Sequence, residues 1–176
     1  VAAIPGDVLI SSGALTTAAA NQFGNSSEVT ISGASATFAI GAFPQTMGHL
    51  NYQAGVFTAG AGVLSLASNL TALTLGHNVT VAPALNFTGS GGIVVSPVAG
   101  SSVTLAGAMD LGGSLHEINV PVGVTGLTTT GIISGAGGGL IKMGPGTLTL
   151  AGAASNTYSG FTTVNEGTLA LNQAAT

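Results

Sequence analysis

The 176-residue sequence contains no cysteine, no tryptophan and no arginine, and Lys142 is its one basic side chain apart from three histidines. Without cysteine neither a disulfide framework nor a thiolate metal centre can form, so packing and backbone hydrogen bonding must hold the fold together. Charged residues amount to 3%, against roughly 25% in ordinary soluble domains. The net charge of −4 sets Asp7, Glu28, Asp110, Glu117 and Glu166 against Lys142. With no basic patch to neutralise phosphates, a nucleic-acid partner is excluded. Long apolar runs are missing too: Gly, Thr, Ser or Asn interrupts each one well short of the about 18 residues a membrane helix needs, so no transmembrane helix is expected.

Scarce charge is joined here to 45% hydrophobic residues, the reverse of a disordered composition, so the chain is expected to fold. Its length and even composition indicate a single domain over residues 1–176. The opening Val1-Ala2-Ala3-Ile4 reads as a processed mature chain or a piece cut from a longer one, with no signal peptide remaining.

Short stretches alternate apolar and small polar residues, as in Val29-Thr30-Ile31, Val79-Thr80-Val81, Val103-Thr104-Leu105 and Thr147-Leu148-Thr149-Leu150. Period two is the strand pattern, and the glycines that follow these runs would break helices, so the class is all-β. Three series of such strands recur at similar intervals. One runs Val8, Val29, Val56, Val79, Val103, Leu127, Leu148, Leu169; the second Leu50, Leu73, Val94, Ile118, Ile141, Val164; the third Leu15, Phe38, Leu64, Leu85, Leu111, Ile133, Tyr158. Recurrence at this spacing predicts a right-handed parallel β-helix, or β-solenoid, of about seven rungs of roughly 23 residues with three short strands per rung. Val29, Ile31, Leu148 and Leu150 are expected to stack inward on their equivalents one rung away. Thr30, Thr104 and Thr149 are expected to face out, where a β-branched hydroxyl suits the pleated backbone. The 29 glycines suit tight corners.

The segment Gly144-Pro145-Gly146-Thr147-Leu148-Thr149-Leu150-Ala151-Gly152, followed by Asn156-Thr157-Tyr158-Ser159-Gly160-Phe161-Thr162-Thr163-Val164-Asn165-Glu166-Gly167-Thr168-Leu169, is the most specific signature. It resembles the autotransporter-associated β-strand repeat, or passenger-associated transport repeat, and the likeness is strongest over 131–172. Upstream, Gln45-Thr46-Met47-Gly48-His49-Leu50 is similar to the N-Q-T-I-G-x-L segment of the same family, with Pro44 where Asn is usual. The resemblance implies a secreted bacterial surface protein built on a β-helix, and it carries over no catalytic residue.

Other candidate chemistry is thin. Gly135-Ala136-Gly137-Gly138-Gly139 has the look of a phosphate loop, but Leu140-Ile141 begins a strand rather than a helix, so a solenoid corner is expected. His49, His77 and His116 lack metal-ligand spacing and are expected at the surface or at rung edges, with no metal and no cofactor. Polysaccharide cleavage on a parallel β-helix would need convergent carboxylates, and the five acids are dispersed, so no enzyme is expected. Lys142 and Glu166, one rung apart along the chain, are expected to meet as a weak surface ion pair. The pairs Thr128/Thr130 and Thr147/Thr149 suggest an ice-binding array, but the pair does not recur on most rungs. Asn25, Asn69, Asn78 and Asn86 stand in glycosylation sequons.

Neither end carries an evident cap: Val1 to Ile10 starts apolar, and Asn172 to Thr176 trails a strand. Low charge and open strand edges favour association. The expected role is a non-catalytic, self-associating extracellular element, a subunit of a surface filament or a segment of a β-helical stalk whose partners are copies of itself, with Val1 to Leu15 the segment placed to join copies. The alternative is a passenger or adhesin module binding host surfaces or polysaccharide.

Overall fold

The computed structural model describes residues 2–174; Val1, Ala175 and Thr176, included in the expectations for the two ends, lie outside the described residues. The first turn carries β1 (Val8–Ile10) and β2 (Ala14–Thr16), and the second β3 (Glu28–Ile31) and β4 (Thr37–Ala39). Three strands per turn follow: β5 (Gln45–Met47), β6 (His49–Tyr52) and β7 (Val56–Thr58), then β8 (Val63–Leu66), β9 (Thr71–Leu75) and β10 (Thr80–Val81). The fifth turn holds β11 (Ala84–Phe87), β12 (Gly92–Val95) and β13 (Ser102–Leu105), the sixth β14 (Met109–Asp110), β15 (Leu115–Asn119) and β16 (Gly126–Thr129). β17 (Ile133–Ser134), β18 (Gly139–Met143) and β19 (Thr147–Gly152) make the seventh, and β20 (Thr162–Val164) and β21 (Thr168–Gln173) the last.

All strand pairs are parallel and join one turn to the next. One sheet runs the whole length in the order β1-β3-β6-β9-β12-β15-β18-β20. A second side is β5-β8-β11-β14-β17, extended at the N-terminal end by the bridge from Ile4 to Phe23. The third side is β2-β4-β7, continued by β10-β13-β16-β19-β21, with β10 lying against β7. The fold is therefore the expected β-solenoid, with eight turns rather than seven. Along the long sheet the register passes through Val8, Val29, Leu50, Leu73, Ile93, Ile118, Lys142 and Val164. Its spacing is uneven, shortest from Leu73 to Ile93 and longest from Ile93 to Ile118.

Period-two alternation does what physical reasoning requires. Val29, Ile31, Leu148 and Leu150 are buried, while Thr30, Thr104 and Thr149 between or beside them face outward and are half-buried. Each buried Val, Leu or Ile contributes about 1.5–3 kcal/mol relative to exposure, and the inward rows of the three sides meet in one apolar column.

Several register expectations are corrected. Val8 and Val29 lie on the long sheet, Val56 is in β7 on the third side, and only Val79 onward forms one file, Val103↔Leu127↔Leu148↔Leu169. Likewise Leu15 and Phe38 belong to the third side whereas Leu64 and Leu85 are on the second. In that second file Met109 rather than Leu111 pairs with Leu85, and Tyr158 follows a backbone bond from Thr157 N–H to the Ile133 carbonyl instead of lying in a strand. Val94 and Ile141 face outward, and their neighbours Ile93 and Lys142 point in. A slip of one residue reverses every side chain, and adjacent apolar pairs make either parity look plausible.

Candidate functional site: the polar ladder, the inward lysine and the open ends

Gly135 to Gly139 forms the expected corner: Gly135 and Gly137 take φ of 134° and 80°, and a Cβ at Gly138 would lie 2.7 Å from the Leu111 Cβ. The stretch then enters β18, leaving no helix N-terminus for a phosphate.

The three histidines have three different settings. His77 is exposed and lies 2.8 Å from the Asn78 amide. His116 corrects its surface expectation. It shares the parity of Ile118 in β15, so it points inward and is fully buried, its two ring nitrogens each 2.9 Å from a carbonyl, of Gly91 and of Leu111. Its ring sits 4.9 Å from that of Phe87. His49, on the outer side of the long sheet, is flanked by neighbours one turn away: Nδ1 lies 3.2 Å from Glu28 Oε2 and Nε2 2.8 Å from Thr74 Oγ1. Among the described residues no three His, Asp or Glu side chains come together as a metal site.

Glu28 is the hub of this ladder. Thr30 donates to it at 2.8 Å and Asn51 at 3.2 Å, while its own N–H donates to Asp7 at 2.8 Å. The Thr30 hydroxyl, with Asn51 and His49, holds the carboxyl below its ordinary pKa against the opposing effect of burial. Carboxylate, imidazole and hydroxyl stand in the order of an activated nucleophile, beside a hollow of about 230 Å³ lined by Asn25, Ser26, Gly48, His49, Ala67 and Ser68. Acyl transfer also needs donors aimed at a developing oxyanion. Here the N–H groups of Gly48 and His49 both donate to the Ser27 carbonyl, and those of Ala67 and Ser68 donate to Met47 and Gly48. Those N–H groups are engaged in cross-turn bonding. The arrangement was legible in one respect, since the separation of Glu28 and His49 along the chain is a single turn of the coil.

Lys142 and Glu166 do not form the expected surface pair. Lys142 takes an inward position between Ile118 and Val164, and its ammonium donates to the carbonyls of Met143 (2.8 Å), Gly144 (2.6 Å) and Glu166 (3.3 Å). Burial pushes its pKa down, opposed by the Glu166 carboxylate. Three carbonyl acceptors match the three protons of an ammonium, so the only lysine staples the corner of the seventh turn to the eighth. Of the threonine pairs, Thr128 and Thr149 align with Thr104 and Thr80 in one outward file, but Thr130 and Thr147 do not extend it into a paired array.

In the eighth turn the inward files become exposed. Val164 and Leu171 continue inward files whose preceding members, Lys142 and Leu150, are 1% and 2% exposed, yet they are themselves 47% and 76% exposed. At the first turn Ile4, Val8 and Leu15, one on each side, only partly cover the core.

No curated protein and no solved structure matches this chain. Residues 140–171, which run from β18 through most of β21, match the model of the Passenger-associated-transport-repeat family. A stretch similar to the passenger-associated transport repeat thus lies on a parallel β-solenoid, a combination that fits an autotransporter passenger-type module.

Proposed function

We propose that the chain is a non-catalytic structural element of a secreted bacterial surface protein, a length of β-helical stalk or filament that extends by stacking solenoid turns end to end. The observation that carries this reading is the continuation of the inward files into the eighth turn, where Val164 and Leu171 hold apolar side chains that a further turn would bury. A further turn laid on β20 and β21 would pair their free edges and bury Val164 and Leu171. In the first turn Ile4, Val8 and Leu15 place one apolar side chain on each side, so such a further turn, whether of a continuing solenoid or of another copy, meets a matching surface. Such a head-to-tail contact does not close on itself and generates a linear polymer. Location outside the cell rests on the association of the repeat with transported passengers. A second reading, a surface-binding passenger module, is favoured by the exposed apolar side chains of Leu70 and Phe161.

The test is light scattering and negative-stain microscopy of the purified chain and of a Val164→Lys, Leu171→Lys variant. Ordered rods from the parent chain, lost in the variant, are expected. A parent chain that stays monomeric at high concentration, or rods that survive both lysines, would overturn axial stacking.

A further inference from the structure

The outer side of the long sheet carries a second hollow, beyond the one beside His49. A β-bulge sits where β12 meets β9, the register shifting between Gly92 and Ile93, and bulges gather next to functional sites. Gly92 occupies the outward row continued by Glu117 and Ile141. A Cβ on it would fall 2.8 Å from the Glu117 carbonyl oxygen and 3.4 Å from the Glu117 Cβ. With no side chain of its own Gly92 lies at the floor of the row, while at Gly139 in the neighbouring row the space above the backbone is taken by Leu115 Cδ2, 2.6 Å from where a Cβ would stand. The result is a hollow of about 370 Å³ bounded by Asn69, Leu70, Ser90, Leu115, Glu117 and Ile141.

Its walls are mixed, Leu70, Leu115 and Ile141 standing beside Asn69, Ser90 and Glu117, and the apolar part is open to solvent, since Leu70 is 89% exposed and Leu115 46%. The rim on one side is fixed by Asn69 Oδ1, which accepts from the Ser90 N–H at 3.0 Å. Glu117 is exposed, and the ion pair found among the described residues joins His49 to Glu28 and leaves it alone. Asp7, Glu28 and Glu117 all lie along this same side of the solenoid, and the lone lysine is buried in the core. The side therefore carries anionic charge with no lysine or arginine to answer it, while this hollow sets Leu70 and Leu115 beside Glu117.

We propose that this hollow docks a cationic, apolar peptide segment in extended conformation, one apolar side chain seated between Leu70 and Leu115 and an adjacent Lys or Arg set over Glu117. Charge complementarity selects that occupant. A second copy of this chain has no exposed lysine or arginine to offer, an acidic glycan meets like charge, and a neutral glycan finds no aromatic platform among the residues that bound the hollow. This docking role goes beyond axial stacking and does not depend on it.

Fluorescence anisotropy of the full chain with a short labelled peptide of alternating lysine and leucine tests the proposal, with the glutamate–leucine peptide as control. Saturable binding is expected for the lysine peptide alone, weakening as salt is raised. Glu117→Gln should weaken it about threefold, and Leu70→Ser with Leu115→Ser at least about tenfold. Asp110→Asn, on the second side, should leave it unchanged. Absence of saturable binding, equal binding of the acidic peptide, or equal losses from Asp110→Asn and Glu117→Gln would overturn the proposal. Glu117→Gln alters one exposed side chain and keeps the fold, so that arm reads binding alone.

Discussion

The first four turns and the last four solve the same packing problem with different residues. Within the N-terminal turns an aromatic cluster joins the aliphatic core: Phe38 stacks on Phe57 with ring centres 5.1 Å apart and meets Phe23 edge-on at 5.7 Å, and Tyr52 meets Phe57 edge-on at 6.3 Å. In the C-terminal turns the buried Phe87 meets the His116 ring, and the third side is aliphatic, Val103, Leu127 and Leu148 stacking in one file. The inward polar groups differ as well. Gln45 spends its amide on the corner of the turn before it, donating to the Ala19 carbonyl at 2.7 Å and accepting from Gln22 N–H at 2.9 Å. Lys142 spends its ammonium on a corner and on the turn beyond. A solenoid column thus accepts any filler of the right volume, whereas its corners need a donor for each buried carbonyl.

The most severe way to break the comparison is Phe38→Ala. Phe38 is fully buried between two other rings, and the cavity should cost about 4 kcal/mol, read as a lower denaturant midpoint. Leu127→Ala, at an equally buried aliphatic position, should cost about 3 kcal/mol. A larger loss from the leucine would show that the aromatic stack is not what stabilises the N-terminal turns.

Lys142→Ala comes next, at about 3 kcal/mol, because it strips the partner from three carbonyls at once. The loss should be local: limited proteolysis is expected to cut within the eighth turn first, with the aromatic turns still protected. Uniform protection, or early cutting in the N-terminal turns, would refute the role of the lysine as the staple between the seventh and eighth turns.

The same division decides how much of the fold was legible in the sequence. The third-side file from Val79 to Leu169 was readable because its members recur at nearly even steps and its outward neighbours are mostly threonine. The N-terminal turns were not readable. Their third side passes through Leu15, Phe38 and Phe57 at unequal steps, and the long step from Val29 to Val56 marks the point where a search on apolar residues leaves one sheet for another. Lys142 and His116 were misplaced because polarity was read as exposure, although each shares the parity of buried neighbours. The hollow beside Glu117 was illegible, since it depends on a bulge and on Gly92, whose absent side chain no periodicity reveals.

The smallest effect gives the sharpest contrast, because one substitution should change sign between the two halves. Thr129 points inward between Leu105 and Leu150, and its hydroxyl is buried without a partner. Valine keeps the branched shape and removes an unsatisfied group, so Thr129→Val should stabilise by about 1 kcal/mol and raise the melting temperature by about 2–4 °C. Thr17 is buried too, but its hydroxyl donates to the Ile40 carbonyl at 3.2 Å and accepts from Gln45 at 3.3 Å. Thr17→Val strands both partners and should destabilise by about 1 kcal/mol. Calorimetry of the two variants side by side decides the matter. Shifts of the same sign would mean that volume alone governs inward threonines, and that the bonded corner around Gln45 contributes nothing distinct to the N-terminal turns.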